Sequence, residues 1–150
     1  MSDLRDLYQE LIVDHSKRPR NFGELEDPSH EASGYNPLCG DKIKLYLKIE
    51  DGVIHDVKFI GAGCAISTAS ASLMTETLKG RTLAQADALF ETFHYMLTSP
   101  KSMGAAADGL GKLAVFSGVN EYPARVKCAT LAWHTLKNAI EARDEDAKTE

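Results

Sequence analysis

No stretch of this sequence approaches the roughly twenty consecutive apolar residues that a bilayer-spanning helix requires, so a membrane partner is not expected. The opening residues Met1-Ser2-Asp3-Leu4-Arg5-Asp6 lack the basic-then-apolar pattern of a secretory leader, which places the protein in the cytoplasm as an expectation. Basic charge is not in excess either. Seventeen Lys and Arg against 22 Asp and Glu leave a formal net charge of −5, and a main partner that is nucleic acid would need a basic face. A glycine loop able to cradle phosphate is missing, because Gly109-Leu110-Gly111 is too short a signal, and there is no internal repeat. Cysteine is scarce. In a reducing compartment, an odd set of three thiols serves metal binding or catalysis better than disulfides.

What is present suits one core. With 150 residues, 43% of them hydrophobic and 26% charged, the chain is read as a single domain over residues 1–150. Leu4, Leu7, Tyr8, Leu11 and Ile12 fall at helical spacing and predict a first helix ending near His15. The basic stretch Lys17-Arg18-Pro19-Arg20-Asn21 follows as a loop, suited to an acidic partner or to an ordinary polar turn. Extended chain near His30–Asn36 leads into Pro37-Leu38-Cys39. Asp41–Glu50 alternates apolar and polar residues, Asp51-Gly52 signals a hairpin, and Val53–Ile60 returns. Helices are predicted over Ala65–Lys79, from Thr82 through Leu97, and from about Pro123 through Ile140. Ser99–Gly118 has no clean period and reads as loop with a short helical piece at Leu110–Phe116. Asp144–Glu150 is a charged tail. The sum is an α+β fold: a small three-stranded antiparallel sheet packed by an N-terminal helix and several C-terminal helices.

The three thiols are Cys39, Cys64 and Cys128, and Cys39 opens the tripeptide Cys39-Gly40-Asp41. In extended chain a thiol and a carboxylate two residues apart point the same way. Cys64 follows Gly61-Ala62-Gly63, and both Cys64 and Cys128 precede apolar runs that read as helices. A helix N-terminus would favour a thiolate there. Separations of 25 and 64 residues match no compact zinc-finger spacing. Even so, three thiols at element boundaries with one carboxylate make a metal site, a sulfur-chemistry site, or both. Three thiolates and Asp41 would complete a tetrahedral zinc site, and the same set could hold an iron–sulfur unit. Arg125 and Lys127 flank Cys128 and would offset the negative charge of such a site. No histidine is placed to pair with a cysteine as catalytic base; His55 and His134 read as exposed, and Trp133 as core.

The segments Leu7-Tyr8-Gln9-Glu10-Leu11-Ile12-Val13-Asp14-His15, Lys17-Arg18-Pro19-Arg20-Asn21, Asn36-Pro37-Leu38-Cys39-Gly40-Asp41, Gly61-Ala62-Gly63-Cys64-Ala65-Ile66-Ser67 and Pro123-Ala124-Arg125-Val126-Lys127-Cys128-Ala129-Thr130-Leu131 resemble the IscU/SufU/NifU N-terminal family of iron–sulfur cluster assembly proteins. Two details resemble its SufU branch. The scaffold-type IscU branch carries a histidine where Lys127 stands. The stretch between the second and third cysteines is also longer here by roughly twenty residues, around Ser99–Gly118. The resemblance implies a zinc-dependent sulfurtransferase that takes persulfide sulfur from a SufS-type pyridoxal-phosphate cysteine desulfurase and passes it to a downstream acceptor or cluster scaffold. It implies Cys39, Asp41, Cys64 and Cys128 as zinc ligands, Cys39 as the thiol that leaves the metal and accepts sulfur, and Arg125 near the site and the partner. The alternative it carries is a scaffold for a transient [2Fe–2S] cluster.

Overall fold

A computed structural model describes residues 2–37, 40–98, 111–121, 123–141 and 147–148. Helix α1 (Ser2–Lys17) is followed by strands β1 (His30–Asn36), β2 (Asp41–Glu50) and β3 (Val53–Ala62). Helices α2 (Ala65–Leu78) and α3 (Leu83–Thr98) come next, then a 3-10 helix (Gly111–Glu121) and helix α4 (Pro123–Ile140). This is the expected α+β architecture. The sequence gives no hint of one addition: Ala147–Lys148 forms a two-residue strand β4 that pairs parallel to β1 at Gly34 and Tyr35, inside the stretch read as a charged tail. Ser99–Leu110, the larger part of the segment read as loop, lies outside the described residues.

The sheet order is β3-β2-β1-β4, and the β1–β2 and β2–β3 pairs are antiparallel. Asp51 and Gly52 both take positive φ, 54° and 74°, the combination that lets a two-residue hairpin follow the natural twist of its strands. Plain alternation fails in β3. A register shift between Lys48 and Ile49 leaves His55 as an extra residue, so Ile54 and Val57, three apart, both point inward. His55 is exposed, as expected.

One sheet face is buried. Ile43, Leu45, Leu47, Val57 and Phe59 meet α4, which lies across β1 and β2, and α2, which lies against β3. The small residues of α2 do what their size permits: Ala69, Ser70, Ala71 and Ser72 are all buried, and the Ser70 hydroxyl donates to the Ala129 carbonyl of α4 at 2.6 Å. Phe93 of α3 stacks on Trp133 of α4, with ring centroids 4.8 Å apart, and meets Phe116 edge-on. Helix α3 starts with a reciprocal cap, in which Thr82 N–H donates to Gln85 Oε1 and Gln85 N–H donates to Thr82 Oγ1.

The basic loop after α1 is tied inward. Arg20 binds Asp14 through its guanidinium at 2.7 Å, and its N–H donates to Ser72 Oγ. Asn21 reaches Thr75. The backbone at Asn21 and Gly23 then bonds Phe59 on the outer edge of β3, where Phe22 and Phe59 meet edge to face. Arg20 and Asn21 thus hold the loop to the body of the protein.

Candidate metal and thiol site

Asp41 begins β2 and is fully buried, directly opposite Asn36 in the β1–β2 register. A buried carboxylate has to be hydrogen-bonded. Its Oδ1 accepts the backbone N–H of Cys64 at 2.8 Å, and its Oδ2 accepts the Asn36 amide at 3.3 Å. Chain geometry at Gly63 allows this approach, since a Cβ there would stand 2.5 Å from Asp41 Oδ1.

Cys64 is the N-cap of α2, with extended backbone at φ −74° and ψ 170°, and its Sγ accepts the Ser67 N–H at 3.4 Å. The expected helix-N-terminal position is therefore realised for Cys64. It is not realised for Cys128. That thiol lies inside α4, which begins at Pro123; it is fully buried and bonded within the helix to the Ala124 carbonyl at 3.5 Å. The apolar run taken to begin at Ala129 is the continuation of a helix already under way, and α4 turns Cys128 toward the sheet. There it meets Asn36, whose amide lies 3.6 Å from its Sγ.

The outcome is convergence from three separate segments. The ligand atoms of Asp41, Cys64 and Cys128 all lie within 4.8 Å of one another, and Cys64 Sγ is 4.0 Å from Asp41 Oδ2. A tetrahedral zinc with sulfur at about 2.3 Å and oxygen at about 2.0 Å spaces its ligands roughly 3.5–3.8 Å apart. The Cys64–Asp41 pair therefore needs to contract by about 0.5 Å, and no pair by more than about 1.3 Å. Leu38 and Cys39 lie outside the described residues; on either side of them, Gly40 N–H donates to the Asn36 carbonyl at 2.8 Å, so β1 ends and β2 begins at this site. Gly40 takes a φ of 72° there.

Arg125 is exposed and Lys127 half-buried, both on α4 just ahead of Cys128. Sequence reasoning gave Asn36 no role of its own, although its amide bridges carboxylate and thiol. The only available signal was its place at the head of Asn36-Pro37-Leu38-Cys39-Gly40-Asp41. His134 is half-buried, not exposed as read, because it packs edge-on against Phe90 and beside His94.

Fold and site together define a small α+β domain with a buried cysteine–carboxylate cluster at one end of its sheet. Residues 7–129 match the family profile described as NifU-like N terminal domain. The chain is 41% identical over 144 residues to the zinc-dependent sulfurtransferase SufU of Bacillus subtilis (strain 168), covering 96% of this chain and 95% of that one. It is also 41% identical over 140 residues to the iron-sulfur cluster assembly scaffold protein IscU of Streptococcus pyogenes serotype M1, covering 93% and 86%. Among solved structures, the N-terminal part of a nitrogen-fixing NifU-like protein from Brucella abortus superposes with a TM-score of 0.82 at 28% identity, over 96% of this chain and 99% of that one. The chain belongs to the IscU/SufU/NifU N-terminal family of iron–sulfur cluster assembly proteins. No helix among the described residues is long and apolar enough to cross a membrane.

Proposed function

We propose that this chain, folded as one domain over residues 1–150, is a zinc-dependent sulfurtransferase of the SufU type. It works in the cytoplasm with a SufS-type pyridoxal-phosphate cysteine desulfurase and passes sulfur on to a downstream acceptor or cluster scaffold. The observation that carries the reading is the convergence of Asp41, Cys64 and Cys128 beside the chain connection that holds Cys39. Those four side chains would hold zinc, and a bound zinc supplies the positive charge that keeps buried thiols deprotonated at neutral pH. Lys127, where the IscU type has histidine, and the identity to the Bacillus subtilis protein support the SufU type.

The chain's own residues divide the work. Cys64 N–H and Asn36 fix Asp41, and Asn36 also donates toward Cys128, so three donors are held in place while Cys39 sits on the connection between Pro37 and Gly40. The Cys39 thiolate attacks the outer sulfur of the desulfurase persulfide. The sulfur–sulfur bond of the donor breaks, the donor cysteine leaves as thiolate, and a new sulfur–sulfur bond forms on Cys39. One thiolate enters and one leaves, so neither an oxidant nor a proton is needed. Arg125 and Lys127 stabilise the negative charge that accumulates near Cys128.

The test is desulfurase turnover with cysteine as substrate. Wild-type protein is expected to accelerate turnover and to gain the mass of one sulfur atom on Cys39, while Cys39→Ala abolishes both. Equal acceleration by Cys39→Ala would overturn the reading. A second reading, a scaffold for a transient [2Fe–2S] cluster on the same ligands, is favoured by the equally similar IscU of Streptococcus pyogenes. A stable and transferable cluster after anaerobic reconstitution, without stimulation of the desulfurase, would select it.

A further inference from the structure

Helices cover one face of the sheet; among the described residues no helix packs on the other, where Lys42 is exposed, Lys44, Lys48 and Lys58 are half-buried and Tyr46 is buried. The pairing register lays that face out in rows. Tyr35, Lys42 and Ala62 form the row nearest the thiol site, Ser33, Lys44 and Ile60 the next, then Glu31, Tyr46 and Lys58, and finally Lys48 and Asp56. Four lysines thus share one surface of a chain whose net charge is −5. One carboxylate offsets a lysine of the face and another is engaged off it. Glu31 pairs with Lys44 at 3.3 Å, and Asp56 pairs with Lys79 at 3.2 Å. Among the described residues, no carboxylate lies within ion-pair distance of Lys42, Lys48 or Lys58.

The aromatic rings of this face serve as supports for the lysines. The ammonium of Lys42 lies 5.8 Å from the centre of the Tyr35 ring, and that of Lys44 lies 5.3 Å from the centre of the Tyr46 ring. Tyr46 is only 6% exposed, so it offers no open ring on which a nucleobase could stack. A groove of about 540 Å³ runs along the end of this face, lined by Ser33, Tyr35, Lys42, Lys44, Ile60 and Gly61. The groove adjoins the site through the chain. Lys42 directly follows Asp41 and pairs with Ala62, and Gly63 and Cys64 come next in the chain.

We propose that this lysine-bearing sheet face is the surface on which the cysteine desulfurase docks, through an acidic patch that borders its persulfide. The inference rests on the function proposed above. Sulfur transfer needs the two reacting sulfurs about 3–3.5 Å apart, so a protein donor has to cover the ground around the thiols. On the inner side that ground is filled by α2 and α4, and on the outer side it is the helix-free sheet face with Lys42 exposed at its near end. Lysines there attract carboxylates during approach and fix the register of docking. Ile60, half-buried in the groove wall, gives the contact an apolar element among the charges.

The test compares binding of the desulfurase to the wild type, to Lys42→Glu/Lys58→Glu and to Lys17→Glu/Arg81→Glu. The last pair lies on exposed positions elsewhere and makes the same change in net charge. The face variant is expected to bind about tenfold or more weakly with a flattened salt dependence, and the control to stay within about threefold of wild type. Zinc content should be equal in all three. Binding by the face variant as tight as wild type, with zinc intact, would overturn the docking surface and leave the proposed function standing. Failure of wild-type protein to bind the desulfurase at all would overturn both. Binding of a single-stranded oligonucleotide that the same two substitutions abolish would overturn the assignment to a protein partner.

Discussion

The imidazole Nδ1 of His15 stands 2.6 Å from the hydroxyl of Ser72, joining α1 to α2 across 57 residues of sequence. The same hydroxyl accepts the Arg20 N–H, so one serine fixes the end of α1 and the loop after it. His15 is 1% exposed, and among the described residues its Nε2 has no partner.

That burial carries a pH dependence. Loss of water pushes the His15 imidazole below its ordinary value, the Arg20 charge adds to this, and Glu76 and Asp14 oppose it. The folded protein therefore binds fewer protons here than the unfolded chain, whose imidazole titrates near 6.5. The associated stability is complete above that value and is lost as pH falls below it toward the lowered folded value. His134, depressed by burial and by neighbouring His94 and Lys137, acts in the same sense. Thermal melts at pH 7.5 and 5.5 should show a lower Tm at the acid end. His15→Gln/His134→Gln should narrow the difference, and an undiminished difference would count against this account.

Gly63 is open to a second check. A methyl group there would press on Oδ1 and on the Cβ and Cγ of Asp41. Gly63→Ala should turn the carboxylate away and reduce zinc content, with far-ultraviolet circular dichroism unchanged. Full zinc occupancy in that variant would show that the strand end yields more readily than argued.

Asn36 is expected to matter more than its neutral side chain suggests. Asn36→Ala removes the donor shared by Asp41 and Cys128 and leaves a buried carboxylate short of a partner. Such a loss costs about 1–3 kcal/mol, and metal affinity should fall about tenfold or more. Competition with a chelating dye measures the affinity, and denaturant unfolding measures the stability.

Zinc removal should lower the melting temperature, because a group that binds only the folded chain stabilises it by mass action. An unchanged melt after zinc loss verified by elemental analysis would contradict the ligand set.

Local signals marked much of this architecture in advance. Asp51-Gly52, the alternation of Ile43, Leu45 and Leu47, and Thr82 at a helix start all act over a few residues, so each is visible in the chain itself. Cys64 was legible for the same reason, since Gly63 before it and small residues after it mark a helix start. Cys128 was not. Pro123 marks where its helix begins, but the burial of the thiol depends on which side of that helix meets β1. His15 and Asn36 owe their burial to partners 57 and 92 residues away. The bulge that displaces His55 is likewise a property of the paired strands, absent from either strand alone.

The lacing of Asn21 and Gly23 along β3 has a further effect. An exposed strand border is a template on which a second molecule can extend a sheet. On the β3 side Ile54 and Phe59 already have their backbone groups occupied by this chain, so intermolecular growth is blocked at those positions. The β1 side is shielded, among the described residues, only at Gly34 and Tyr35 by the short β4. If copies of this protein ever fuse their sheets under stress, His30–Ser33 is where the seam will open.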